Sequence, residues 1–127
     1  CPFWSIKAYN FYVNQKSKST ALVAKNLRHE HTFPQILLIK KMWNLKNPTK
    51  KIIRDLYDKY AIATVVTKEE NLKLNSSAVG LRSETISDNN IWLRYNNEKI
   101  VIKLMQNPLK NIFYNYHIKQ MKEAKVI

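Results

Sequence analysis

The chain has 127 residues, long enough for one domain with a core of its own, and 45% of them are hydrophobic. Twenty-two Lys and Arg against nine Asp and Glu give a net charge of +13, an excess that points to a polyanionic partner, nucleic acid first. The excess is uneven: residues 1–60 carry 12 basic and 3 acidic side chains, residues 61–127 carry 10 and 6. No run approaches the roughly 18–20 apolar residues of a membrane span, and no basic stretch leads into an apolar one at the start, so a soluble protein without a membrane partner is expected. Cys1 is the only cysteine, which excludes a disulfide framework and a cysteine zinc site and fits a reducing compartment, the cytoplasm. A chain beginning at Cys1 has lost its initiator Met or been cut from something longer. Gly80 is the only glycine, so the glycine-rich loops that let a backbone approach phosphates closely are excluded, and nucleotide-cofactor enzymes of those classes with them.

In chain order, Phe3 to Val13 is rich in aromatic and β-branched residues and reads as a strand or a hairpin arm. Gln15 to Thr20 is a polar connector. Ser19 or Thr20 then caps a helix through Asn26, with Leu22, Val23 and Leu27 inward. Leu27-Arg28-His29-Glu30-His31-Thr32-Phe33-Pro34 puts an acid directly before a histidine and closes on a proline-limited strand end. The apolar run after Pro34 is too long for a strand and predicts a helix from Gln35 to Trp43. Thr49 caps a further helix carrying Ile52, Ile53, Leu56 and Tyr60, whose other face shows Lys50, Lys51, Arg54 and Lys59. That face is a solvated surface or a track for phosphates.

Ile62 to Val66 reads as a short buried strand running straight into a helix. Thr67 followed three residues later by Glu70 is a capping box, in which each side chain satisfies an unpaired backbone donor of the other. Asn71 and Asn75 then fall on one side of that helix, a turn apart. Ser76 to Asn90 reads as a loop carrying Arg82. Ile91 to Tyr95 and Lys99 to Leu104 flank Asn96-Asn97-Glu98 and predict a β-hairpin. Pro108 opens a last helix to about Lys125, with Leu109, Ile112, Phe113, Tyr116 and Met121 at core spacing and His117 as a structural residue. The fold class expected is α+β.

Two of these stretches together carry a resemblance. Glu30-His31-Thr32-Phe33-Pro34-Gln35 is similar to the acid-His-x-x-Pro signature of the HNH, or His-Me finger, nucleases, and Val65-Val66-Thr67-Lys68-Glu69-Glu70-Asn71 resembles that family's second strand and helix start. The likeness covers residues 27–76. It implies a ββα-metal core and a metal-dependent endonuclease, DNA favoured over RNA as substrate; the additional helices and the C-terminal hairpin and helix read above complete the expected fold around that core. It implies His31 as general base, since a neutral imidazole suits proton abstraction near neutral pH. It implies Glu30 as a metal ligand, reached by a twist of the strand because Glu30 and His31 point to opposite faces, with Asn71, or failing that Asn75, as the helix-borne ligand. Oxygen donors of this kind favour Mg²⁺ or Mn²⁺. Lys50, Lys51, Arg54, Lys68, Lys73 and Arg82 are the expected phosphate contacts, and His29 a supporting neighbour of the site. Two other functions fit the sequence: a metal-independent ribonuclease using His31 with His29 or His117 and a lysine, and a basic nucleic-acid-binding module without catalysis.

Overall fold

A computed structural model describes residues 1–16, 19–76, 90–105 and 112–127. The strands are β1 (Phe3–Ser5), β2 (Leu27–His31), β3 (Ala63–Thr67) and β4 (Ile102–Leu104), in one sheet of order β2-β3-β1-β4. The helices are α1 (Ile6–Asn14), α2 (Thr20–Asn26), α3 (Gln35–Trp43), α4 (Lys50–Tyr60), α5 (Lys68–Ser76), α6 (Leu93–Asn97) and α7 (Ile112–Glu123). The class is α+β, as the sequence predicts. No described helix is long and apolar enough to cross a membrane.

β3 is the axis of the sheet. It pairs antiparallel with β2, Leu27 facing Thr67 and His31 facing Ala63, and parallel with β1 through Trp4 and Val65. Successive side chains on β3 enter different cores. Val66 joins the larger one with Phe3, Phe33, Leu74, Trp92, Tyr95 and Met121, and Val65 joins the smaller one with Ala8 and Leu27. Each fully buried side chain of this size contributes roughly 1.5–3 kcal/mol. α5 leaves β3 without a loop and packs back on β2 and β3, so β2, β3 and α5 form a ββα arrangement in space, with α3 and α4 inserted between the two strands.

The capping box at this junction is formed. The Glu70 backbone N–H donates to Thr67 Oγ1 at 3.1 Å, and the Thr67 N–H donates to Glu70 Oε2 at 2.9 Å. The same Oε2 accepts from Ser5 Oγ at 2.5 Å, while Ser5 Oγ accepts from the Ala8 N–H at 3.0 Å and so caps α1. One buried carboxylate thus ties the starts of two helices to the sheet. The caps expected at Ser19 and Thr49 are present, and α3 has the predicted bounds.

Two expectations need correction. Phe3 to Val13 is not one strand: its chain turns helical at Ile6, because the Ser5 side chain offers the first turn a cap and Ala8 can enter the smaller core. The hairpin at 91–104 is replaced by α6 and the short strand β4. Asn90 Oδ1 accepts from the Trp92 N–H at 3.0 Å and starts the helix. Lys99 adopts φ 55°, the Ile100 N–H reaches the Tyr95 carbonyl at 2.8 Å and the Lys99 N–H that of Asn96 at 2.9 Å. That is a Schellman end, with lysine in the place usually taken by glycine. α7 ends the same way on Lys125. The predicted loop at Ser76–Asn90 with Arg82 and the helix start at Pro108 lie outside the described residues, apart from the loop's ends at Ser76 and Asn90; so do Leu109 and the side chains of Ile112 and Phe113.

Candidate nucleic-acid site

Strand alternation divides β2 into two unlike faces. Leu27, His29 and His31 lie on one, Arg28 and Glu30 on the other. His29 and His31 are exposed, whereas Glu30 is buried. A groove of about 480 Å³ opens at the C-terminal end of the strand, lined by His29, Glu30, His31, Asn71, Asn75 and Arg94 together with Pro34, Gln35, Ile36 and Ile39 at the start of α3. The groove therefore gathers every residue that the resemblance assigns to catalysis and metal binding, and adds Arg94. A second hollow of about 440 Å³ between α3 and α4, bordered by Leu37, Leu56, Tyr60 and two lysines, offers no acid–base pair.

Glu30 is held by α6. Its Oε1 lies 3.0 Å from Arg94 Nη2, and its Oε2 accepts from the Tyr95 hydroxyl. Burial pushes the Glu30 carboxyl up from its ordinary range against the lowering pull of Arg94 and Tyr95. Burial also raises the Tyr95 hydroxyl well above its ordinary value, with the Glu30 charge adding to the effect, so Tyr95 stays a donor. Arg94 is buried too. Its Nη1 donates to the carbonyls of His31 at 3.1 Å and Thr32 at 2.9 Å, and its Nη2 to the Leu74 carbonyl at 3.3 Å. One guanidinium thus clamps the exit of β2 to the last turns of α5 and fixes the backbone that carries His31.

These contacts decide how well the expected cation fits. Both Glu30 oxygens are engaged, one of them by a guanidinium that would repel a second positive charge. Asn75 donates its Nδ2 to the Asn71 carbonyl at 2.8 Å, which leaves neutral amide oxygens as the helix-borne donors. Among the described residues, no three His, Cys, Asp or Glu side chains stand close enough to hold a metal ion. In this arrangement Arg94 and Tyr95 already occupy the one anionic donor, and Asn71 and Asn75 add only neutral amide oxygens, so a Mg²⁺ or Mn²⁺ ion held by Glu30 would have to displace Arg94.

The expected phosphate contacts are scattered. Lys50, Lys51 and Arg54 are exposed on α4, with Lys51 paired to Asp55 at 2.9 Å. Lys73 is 3.4 Å from Glu69, and Lys68 borders a different hollow with Lys7, Phe11 and Asn26. None of these five lines the groove, and Arg82 lies outside the described residues.

His117 is buried in the larger core, its ring against Phe3 and Trp92. Its Nδ1 accepts from Trp92 Nε1 at 3.3 Å, so its proton sits on the buried Nε2. Burial lowers it to about 4, and the imidazole is neutral near pH 7. It is a structural residue and no partner for His31.

Arg94 and Tyr95 are the site residues that sequence reasoning missed. The available signal was a charge at Arg94 inside the apolar run Ile91-Trp92-Leu93-Arg94-Tyr95, matched by an acid on the core-facing side of β2. Comparison with known proteins adds nothing to this geometry: no family model matches the chain, and no curated protein or solved structure is significantly similar to it.

Proposed function

We propose that the chain is a nuclease that cleaves RNA at the groove beside β2, with His31 as general base and His29 as general acid. The observation that carries this reading is the pairing of two exposed imidazoles on one strand face, while the neighbouring Glu30 is committed to Arg94. Residues two apart on a strand stand about 6.5–7 Å apart, a spacing that places the two rings on either side of one phosphodiester. RNA carries its own nucleophile. His31 takes the proton of the 2′-hydroxyl as that oxygen attacks phosphorus, and His29 gives a proton to the departing 5′-oxygen. The products are a 2′,3′-cyclic phosphate and a 5′-hydroxyl end. The Asn71 amide, also in the groove, can donate to a non-bridging phosphate oxygen. The +13 charge supplies affinity independent of sequence, which falls steeply with salt.

A second reading, metal-dependent hydrolysis of DNA, draws support from the ββα arrangement of β2, β3 and α5 with Asn71 and Asn75 at the groove. It requires Glu30 to release Arg94. Cleavage of a labelled RNA and of plasmid DNA, each in Mg²⁺, Mn²⁺ or EDTA, separates the two. RNA cleavage that survives EDTA, leaves cyclic phosphate ends and is abolished in His31→Ala and in His29→Ala is the expected result. DNA cleavage that needs metal would favour the second reading. Binding without cleavage of either would leave a nucleic-acid-binding module.

A further inference from the structure

The groove does not end at its polar residues. Ile36 and Ile39 line it on the α3 side, and Trp43 follows on the same helix face one turn beyond Ile39. Their exposures are 56%, 54% and 87%, so three large apolar side chains in helical register face solvent in a row that begins at the groove. Singly exposed apolar residues need no explanation, but a row of three continuous with a candidate site does. From Ile36 to Trp43 the row runs about 10 Å along the axis.

We infer that this stripe is a platform for unpaired bases, and that the groove takes single-stranded rather than duplex nucleic acid. The inference rests on the proposal that nucleic acid occupies the groove, and it adds the substrate's strandedness. An occupant must present negative charge to a +13 chain and apolar faces to Ile36, Ile39 and Trp43. A single strand does both, because its bases are free to leave one another and lie on an aromatic or aliphatic surface. A duplex presents the charge alone, with its base faces stacked inside. A second copy of the chain would bring apolar surface but also a second +13, and the repulsion opposes association. With the phosphates toward His29 and His31, the bases lie along α3 and Trp43 stacks on the outermost of them.

The tryptophans make the test direct, since Trp92 is buried, Trp4 is half-buried and Trp43 is the most exposed. Oligothymidylate titrated in EDTA, conditions in which neither proposed route can cut it, should quench the fluorescence and bind at least about tenfold more tightly than the same strand in a duplex. Trp43→Ala, at a site too exposed to affect folding, should weaken single-strand binding by about tenfold or more and remove most of the quench; Trp43→Phe should keep most of the affinity. Equal affinity for duplex and single strand, or undiminished binding by Trp43→Ala, would overturn the inference. Self-association that Trp43→Ala abolishes would likewise overturn it, by giving the stripe to a second copy. Because the readout is binding, single-strand preference without any cleavage would leave the inference standing and remove the nuclease reading. Cleavage of duplex as fast as of single strand would do the reverse.

Discussion

The two faces of β2 differ as a closed circuit differs from an open terminal. On one, Glu30 pairs with Arg94 and Tyr95 and the Arg94 guanidinium donates to three backbone carbonyls, its buried Nε alone among its nitrogens lacking a partner, with the charged groups out of water. On the other, His29 and His31 are exposed at the rim of a groove. Residues adjacent in sequence are thereby given opposite tasks. The buried acid ties the strand end to α6, and the exposed imidazoles are the ones to which the proposed function gives the ligand. The difference teaches that an acid and a histidine adjacent in sequence can be set in unlike surroundings, because the strand's period of two sends their side chains to opposite faces.

The sharpest way to break this contrast is to empty the closed side. Glu30→Ala or Arg94→Ala leaves the other charge buried without its partner, and should cost about 3–5 kcal/mol in urea unfolding. Replacing both together should cost less than the sum of the two, and additive losses would show the pair to be uncoupled.

The buried histidine gives the next effect. His117 is at about 4 in the folded chain against 6.5 as a free group, so the unfolded chain binds the extra proton first. Stability contributed by the neutral ring is present above pH 6.5 and is lost as pH falls toward 4, by roughly 2–3 kcal/mol at pH near 4.5. Glu30 works in the opposite sense. Its raised carboxyl contributes below its ordinary value and loses that contribution as pH rises through the raised one. Unfolding of His117→Phe at neutral and acid pH should therefore show a shallower acid-side loss than the unmodified chain; an unchanged slope would remove His117 as its source.

Glu70→Ala should cost about 1–3 kcal/mol, since it strips both the Thr67 N–H and the Ser5 hydroxyl of their shared acceptor. Smallest of all, His29→Ala and His31→Ala should change stability by no more than about 0.5 kcal/mol, as exposed substitutions do, while abolishing cleavage. A large loss of stability in either would place that ring on the closed side.

Much of the scaffold could be read from the sequence because its signals are local. Ser19 and Thr49 cap the helices they precede, Pro34 marks the start of α3, and the Thr67–Glu70 box fixes the turn from β3 to α5. The pairing of β2 with β3 and the groove that joins His31 to Asn71 follow from that order of elements. What failed was non-local or chemically ambiguous. Ile6 to Val13 carries strand-favouring side chains, yet Ser5 answers to Ala8 and to the distant Glu70. Ile91 to Tyr95 alternates no better than it turns, and the helix there is set by Asn90 and by Lys99 in a left-handed conformation. The role of Glu30 depends on Arg94, 64 positions away, and no spacing rule links them.

The central claim, that the open face of β2 is where ligand binds, is best tested by the histidine ring resonances, since the chain has only three. Addition of oligothymidylate in EDTA should shift the ring signals of His29 and His31 and leave that of buried His117 in place. Saturable binding that leaves His29 and His31 unmoved would contradict the account and move the site elsewhere on the basic surface.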